Sequence, residues 1–486
     1  MGAIIEWLSE LVWNQVFIFA FLVIGLLFTI VTKFVQVTQI KDMIKFTFTG
    51  GSSSSGISSF QALSMSLGSR VGTGNIAGVV TAITLGGPGA VFWMWMMAFL
   101  GAATSFIEVT LAQIFKSKLK GEYRGGPPFF MDKGLGLKKL AIAYALLTII
   151  ANGFLLMNIQ SNTVAIAMED AFGINRVITG IFLVGVLALV VFGGVKRIAK
   201  TAELAVPFMA IGYIIMALIL IFANFSAIPE VFRVIISSAF GADATFGGIV
   251  GSALSWGIQR GYFSNAAGSG GETFEGAAAE VSHPVKQGLV QSFAVYIDTW
   301  VICSMTAFMV IITGMYNVEE AGVNNVPGVV AGGSNVQLSI DSVFAGWGKA
   351  FLAISLLLFC FTTMISYYYK SDTSLSYLTV SKERPWANYL MKFGIMVFVF
   401  EGTVISAEAA WTAGDVGLGS MAYLNLFAIL FLFKHALVAL KDYKEQKKSG
   451  KDPVFEPLRL GIKNADFWEE KNKKEASNSE SEVMSE

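Results

Sequence analysis

Ser69-Arg70-Val71-Gly72-Thr73-Gly74-Asn75-Ile76-Ala77-Gly78 aligns without gaps on Gln259-Arg260-Gly261-Tyr262-Phe263-Ser264-Asn265-Ala266-Ala267-Gly268, 190 residues further along the chain. Arg, Asn, Ala and Gly match, and both stretches lie inside apolar segments of membrane length. At the same offset Phe106-Ile107-Glu108 falls on Tyr296-Ile297-Asp298. One short match is within reach of chance, but a second at the identical offset implies an internal duplication. Glycine-interrupted apolar segments at matching places in two halves are the best sequence pointer to the central site of a secondary transporter.

The composition agrees. Hydrophobic residues make up 54% of the chain and charged residues 14%, with a mean hydropathy of +0.63, which places it among integral membrane proteins. The net charge is zero, so nothing argues for nucleic acid as a partner. The one dense charge run, from about Lys441 to Glu486, reads as a solvated, partly disordered tail. Cys303 and Cys360 sit in apolar segments outside any metal-ligand spacing and read as small core residues. With only His283 and His435 as histidines, neither a histidine-rich metal site nor a Ser-His-Asp triad has support, and an enzyme is not expected. Acidic Glu6 and Glu10 precede the first apolar run, unlike a cleaved signal peptide.

A bilayer core of about 30 Å takes roughly 20 apolar residues per helix. Eleven segments qualify, at about 13–36, 58–84, 89–115, 138–168, 175–194, 202–224, 246–282, 287–314, 345–369, 386–410 and 416–440. Cytoplasmic loops retain Lys and Arg. Placing the loop with Lys33, Lys41 and Lys45 inside puts the other basic loops inside as well, and only Arg176, Arg233 and Lys349 fall on the outer side. The N-terminus is then outside and the C-terminus cytoplasmic, in a multi-pass protein of the plasma (inner) membrane. Setting the first helix aside, the offset maps the first of ten spans onto the sixth. Five is odd, so the halves cross the membrane in opposite senses: an all-α, 5+5 inverted repeat. The expected organisation is an N-terminal helix and loop (1–57), a first repeat (58–224), a second repeat (246–440) and the charged tail (441–486).

Gly72, Gly74 and Gly78 in one segment, and Gly257, Gly261, Gly268, Gly270 and Gly271 in the other, invite helix breaks, although glycines also let helices pack closely. A broken helix offers free N–H groups to a carboxylate at the start of its second half and free carbonyls to a cation at the end of its first. Arg70 and Arg260 cost about 2.5–3.5 kcal/mol each at the bilayer centre if unpaired. Glu108 and Asp298, sharing the offset, are the obvious partners, with Glu401 and Glu408 also in a span. A structural ion pair is favoured over a gate for them. Thr362 and Thr363 supply two adjacent hydroxyls, though helical threonines usually bond back to their own helix. Gln160 and Asn162 are expensive carboxamides at depth and favour a polar cavity. Phe263, Tyr367 and Tyr368 are by default core aromatics.

Val71-Gly72-Thr73-Gly74-Asn75-Ile76-Ala77-Gly78, the following Gly86-Gly87-Pro88-Gly89-Ala90-Val91-Phe92-Trp93-Met94-Trp95, the loop Glu122-Tyr123-Arg124-Gly125-Gly126-Pro127 and Arg260-Gly261-Tyr262-Phe263-Ser264-Asn265 resemble the alanine or glycine:cation symporter family. The resemblance runs from about Ser59 to Leu432. It implies the leucine-transporter-like fold with one extra N-terminal helix, and Na⁺-coupled import of small neutral amino acids such as alanine and glycine by alternating access. A proton-coupled or a glutamine-preferring member is the alternative. No cofactor is implied beyond sodium as the coupling ion, and the carrier is expected to work as a monomer in the lipid bilayer. Carried over by motif position, the resemblance implies that Thr73 and Gly74 give backbone amides to the substrate carboxylate. Gln160, Phe263 and Tyr367 complete the pocket, and Gly68, Val71, Thr362 and Thr363 form the sodium site. Two positions depart from the family pattern: Ala266 stands where a Glu is usual and Ser105 where a Lys is usual. The reading is that the two pair in other members and are lost together here.

Overall fold

The computed structural model describes Trp7 and residues 9–53, 55–242, 245–380 and 384–483. It is built from helices. Among the described residues, seven are long and apolar enough to cross a membrane: α1 (Ser9–Val31), α5 (Gly89–Ile114), α7 (Lys138–Phe172), α9 (Gly194–Ala223), α13 (Pro284–Thr313), α15 (Gly348–Leu378) and α17 (Ala407–Lys448). The other four of the eleven expected segments are α8 (Arg176–Val191), α16 (Pro385–Val404) and two broken helices. The first broken helix is α3 (Ser59–Arg70) followed by α4 (Gly74–Gly86), and the second is α11 (Val250–Asn265) followed by α12 (Thr273–Ala278). Short α2 (Ile40–Phe48), α6 (Pro127–Lys133), α10 (Ile228–Ala239) and α14 (Gly333–Asp341) lie between spans, and the hairpin β1 (Ser117–Leu119) and β2 (Glu122–Arg124) follows α5.

Two groups of helices pack separately and meet at the centre. In one, α5 runs along both α11 and α13; in the other, α7 runs along α15 and α16. This is the leucine-transporter-like arrangement, with the broken helices in the first group. The exposed apolar face of α9, with Leu204, Phe208, Ile211, Ile215 and Phe222, is what a lipid-facing helix presents.

The two breaks arise differently. α3 starts on a capping box, with the Ser58 hydroxyl accepting from Gln61 N and the Gln61 side chain accepting from Ser58 N. It stops at Arg70, Val71 turns extended, and α4 resumes in a wide π-helical turn over Gly74–Gly78. α11 runs unbroken through Gly257 and Gly261, where the absent side chains let α5 approach: a Cβ on Gly261 would lie 3.2 Å from Met94 Cα. These two glycines serve packing rather than a break. The chain unwinds only after Asn265, where Ala266 (φ 52°), Gly268 (φ 92°) and Gly270 (φ 82°) take left-handed conformations.

The tail differs from expectation. α17 continues to Lys448, and the chain beyond folds back over the ends of α5 and α13 with Phe455, Ile462, Ala465 and Trp468 buried. Trp468 Nε1 donates to Gln113 O at 2.8 Å, and Arg459 pairs with Asp442 at 2.6 Å. A few large apolar residues dispersed among charges are enough to dock it. The face carrying this tail also carries the basic loops.

Candidate functional site

The unwound end of α3 leaves carbonyls without helical partners, as every helix C-terminus does. Thr363 Oγ1 on α15 lies 2.8 Å from Gly68 O, 3.4 Å from Val71 O and 2.9 Å from Phe359 O. Two helices thus bring four oxygens to one point, three of them carbonyls. That is the donor type a hard cation takes. Thr362 behaves otherwise: its hydroxyl returns to Phe359 O at 2.9 Å and faces Met209 Sδ at 3.6 Å on α9. Of the two threonines, only Thr363 reaches the carbonyls of α3.

On the other side of the break stand the amides that open α4. Thr73 N and Thr73 Oγ1 both approach Gln160 Oε1 on α7, at 3.3 and 3.1 Å. The Thr73 hydroxyl also meets Thr163 Oγ1 at 3.1 Å and Cys360 Sγ at 3.4 Å. A Cβ on Gly72 would fall 2.8 Å from both Gln160 Oε1 and Thr363 Oγ1, so Gly72 is where the amide side and the carbonyl side touch. Gly74 lies under Phe263, whose ring packs against Trp411 at 5.0 Å between centroids. Above them, on the face away from the tail, a cavity of about 160 Å³ is lined by Ala77, Asn162, Thr163, Gln337 and Trp411. Tyr367 is buried one turn tailward of Thr363, with Lys370 Nζ 5.3 Å over its ring. Asn162 donates to Gly402 O and Ile405 O, fastening α7 to the end of α16 while its flank lines the cavity.

The arginines find other partners than the offset suggests. Arg260 makes a two-pronged pair with Asp415 at 2.9 and 3.2 Å, and its guanidinium lies 4.8 Å over the ring of Trp411. Arg70 lies 3.9 Å from Glu272 and donates to Gln291 O and Ser105 Oγ at 3.3 Å each. Ser105 therefore serves Arg70, and Ala266 marks the start of the second break. Glu108 and Asp298 instead brace the breaks, each in the opposite repeat. Glu108 accepts from Gly268 N (3.0 Å), Gly270 N (3.1 Å) and Asn425 Nδ2 (2.9 Å). Asp298 accepts from Asn75 Nδ2 (2.7 Å), Ser264 Oγ (2.8 Å) and Thr299 Oγ1 (2.8 Å).

Sequence reading missed Phe359 O, because a carbonyl carries no residue signature. It missed Trp411, which fell between two segments because α17 begins at Ala407. Thr163, one turn from Gln160 on a polar helix face, was legible by spacing.

A model of the sodium:alanine symporter family matches residues 1–457. A Bacillus subtilis (strain 168) protein, described provisionally as the sodium/proton-dependent alanine carrier protein YrbD, is 53% identical over 473 residues, 96% of this chain and 98% of that one. The sodium/proton-dependent alanine carrier protein of Bacillus sp. (strain PS3) is 49% identical over 432 residues, 88% of this chain and 97% of that one. Among solved structures, a manganese transporter of Eremococcus coleocola in complex with an aromatic bis-isothiourea compound aligns over 79% of this chain and 78% of that one. Its TM-score is 0.50 at 13% identity, a likeness of fold alone.

Proposed function

The chain belongs to the sodium:alanine symporter family, and from that premise we propose that it imports alanine, and glycine beside it, together with Na⁺ by alternating access. The observation that carries the reading is the meeting at Gly72 of a carbonyl-and-hydroxyl cluster with the first amides of a helix. In this reading Na⁺ takes Gly68 O, Val71 O, Phe359 O and Thr363 Oγ1, with Thr362 supporting from behind. The substrate carboxylate takes the Thr73 and Gly74 amides in place of Gln160 Oε1, freeing the Gln160 carboxamide to turn toward the ligand. Phe263 and Trp411 close the pocket on the cavity side and Tyr367 on the tail side, leaving space for a small side chain. The group built on α5, α11 and α13, which holds the broken helices, would rock against the group built on α7, α15 and α16 about this site, each group drawing on both repeats (58–224 and 246–440), with the N-terminus outside and the tail in the cytoplasm of a plasma-membrane monomer.

One sodium is enough. A charge crossing 100 mV yields about 2.3 kcal/mol. At about 150 mV with a tenfold Na⁺ gradient the total is near 5 kcal/mol, over a thousandfold accumulation at about 1.4 kcal/mol per decade. The proton named with sodium in both relatives supports testing H⁺ beside Na⁺, and glutamine is the alternative substrate. The test is uptake of labelled alanine into proteoliposomes under Na⁺, K⁺ or H⁺ gradients. Uptake should require Na⁺, and Thr363→Ala should raise the Na⁺ concentration for half-maximal rate about tenfold or more. Equal uptake under K⁺, or an unchanged Na⁺ requirement in Thr363→Ala, overturns the assignment.

A further inference from the structure

Among the described residues, every buried acid in the centre of the molecule has hydrogen-bond donors except one. Glu108 and Asp298 each have three, Asp415 has Arg260, and Glu272 Oε1 takes Ser69 Oγ at 3.3 Å and Lys370 Nζ at 3.4 Å. Both carboxyl oxygens of Glu275 are buried without a hydrogen bond, and so is Glu272 Oε2. The ammonium nearest to Glu275, Lys370 Nζ at 3.8 Å, is already engaged by Ser69 Oγ at 2.9 Å and by Glu272. The other charged or titratable groups around it are Arg70 from α3 and Tyr367 and Tyr369 from α15. From α5 and α13 it is uncharged Val109 and Gln291 that reach Gly276, and Arg124 of β2 is committed to Asp372 and Glu122. A carboxylate buried this way, with no hydrogen bond and only a shared ammonium at 3.8 Å, is expensive for a protein interior to hold. A proton removes the charge, and with Glu272 three residues away it supplies the donor this acid pair lacks.

The position gives that proton a consequence. α12 is the tailward half of the second broken helix, and its end is sealed. Ile57 N donates to Ala278 O, Glu280 N donates to Ile57 O, and Glu280 pairs with Lys471 of the docked tail. A passage to the tail face must part α3 from α12, and with them Ser69 from Glu272, which admits water to Glu275. Resting on the alternating-access reading, we propose that Glu275 is a proton-binding site of the tail-side seal. It takes a proton from the tail-side solution as the seal closes and returns it to that solution as the seal opens. Low pH on that face then holds the seal shut and high pH favours opening.

Two measurements on the full chain test this. Na⁺-driven alanine uptake, followed in proteoliposomes from pH 6 to 8.5, should change several-fold in the wild type, be flat in Glu275→Gln and keep its pH dependence in Glu272→Gln. A Glu275→Gln protein that transports with the wild-type profile overturns the proposal. The second readout does not need transport. Ala278→Cys in detergent should react with an impermeant maleimide faster as pH rises, beyond the increase shown by an exposed control, Ser449→Cys, and Glu275→Gln should remove that excess. No excess in the Ala278→Cys protein overturns the proposal, whereas absence of Na⁺-driven uptake with the excess present overturns only the transport reading.

Discussion

The two broken helices carry the same motif and end in different chemistry. At the first, Gly72 N is taken by Asn75 Oδ1, Thr73 N by a neutral carboxamide from another helix, and the carbonyls of Gly68 and Val71 by one hydroxyl. All of these partners are neutral side chains. At the second, the chain satisfies itself. Asn265 Oδ1 takes Ala267 N, Glu108 takes Gly268 N and Gly270 N, and Ser269 Oγ takes Gly271 N. Asn425 Nδ2 donates to Gly268 O, and Tyr144 Oη to Ser269 O. The asparagines also act in opposite directions, Asn75 on a residue before it and Asn265 on a residue after it, so one break precedes the motif's Asn and the other follows it. A duplicated motif thus yields one joint whose backbone groups are held by neutral side chains and one whose amides are held by an acid: Glu108 takes two backbone N–H groups at the second, whereas Asp298 takes the Asn75 side chain at the first.

The largest effect should come from removing that acid. Glu108→Ala leaves Gly268 N and Gly270 N buried without an acceptor, at about 1–3 kcal/mol each, and leaves Asn425 Nδ2 with Gly268 O alone. Folded yield and melting temperature in detergent should fall sharply, with Glu108→Gln between it and the wild type. An unchanged melt would mean that the second break is not fixed by Glu108, and the comparison would fail.

A smaller effect separates binding from packing. Gly72→Ala drives a Cβ to 2.8 Å from Gln160 Oε1 and Thr363 Oγ1, so both side chains must swing away. The alanine KM and the Na⁺ requirement should rise together, about tenfold, with little loss of stability. Gly261→Ala presses on Met94 and Met97 at 3.2 Å, an overpacking that costs about 1–3 kcal/mol and should lower the melting temperature while leaving KM unchanged. If both substitutions act on KM alike, the second helix binds as well.

Much of this was legible beforehand. The paired motif and the eleven apolar segments point to an all-helical membrane protein with the leucine-transporter-like fold, and the glycines of the first motif mark where its helix breaks. The ion partners were not legible. Arg70 meets Glu272, which the offset aligns with Ala82, and Arg260 meets Asp415, beyond the matched stretches. Those pairs depend on where α12 and α17 pack, which no internal alignment carries. The docked tail was hidden because Phe455, Ile462 and Trp468 are diluted among lysines and glutamates.

The smallest effect concerns a further tie on the second helix. Lys116, just beyond α5, donates to Ala279 O at 3.0 Å and lies 4.6 Å from the rings of Tyr123 and Phe467 and 5.2 Å from that of Trp468. Burial pushes its ammonium from the ordinary 10.5 down to about 7, although the rings favour the charged form. Between about pH 7 and 10.5 the docked tail therefore holds fewer protons than the undocked one, and docking strengthens as pH rises through that window. Below about 7 the lysine is charged in both states and contributes no slope. His283, packed against Phe455, is also lowered by burial, but from 6.5, so its influence falls at lower pH. Limited proteolysis of the tail should be slower at pH 8.5 than at pH 7, relative to a control substrate, and Lys116→Met should remove that difference while keeping the tail docked. A Lys116→Met protein with the wild-type pH response would assign the window to another group and leave Ala279 O as an ordinary helix end, so the second helix would be fixed by Glu108 and the break residues alone.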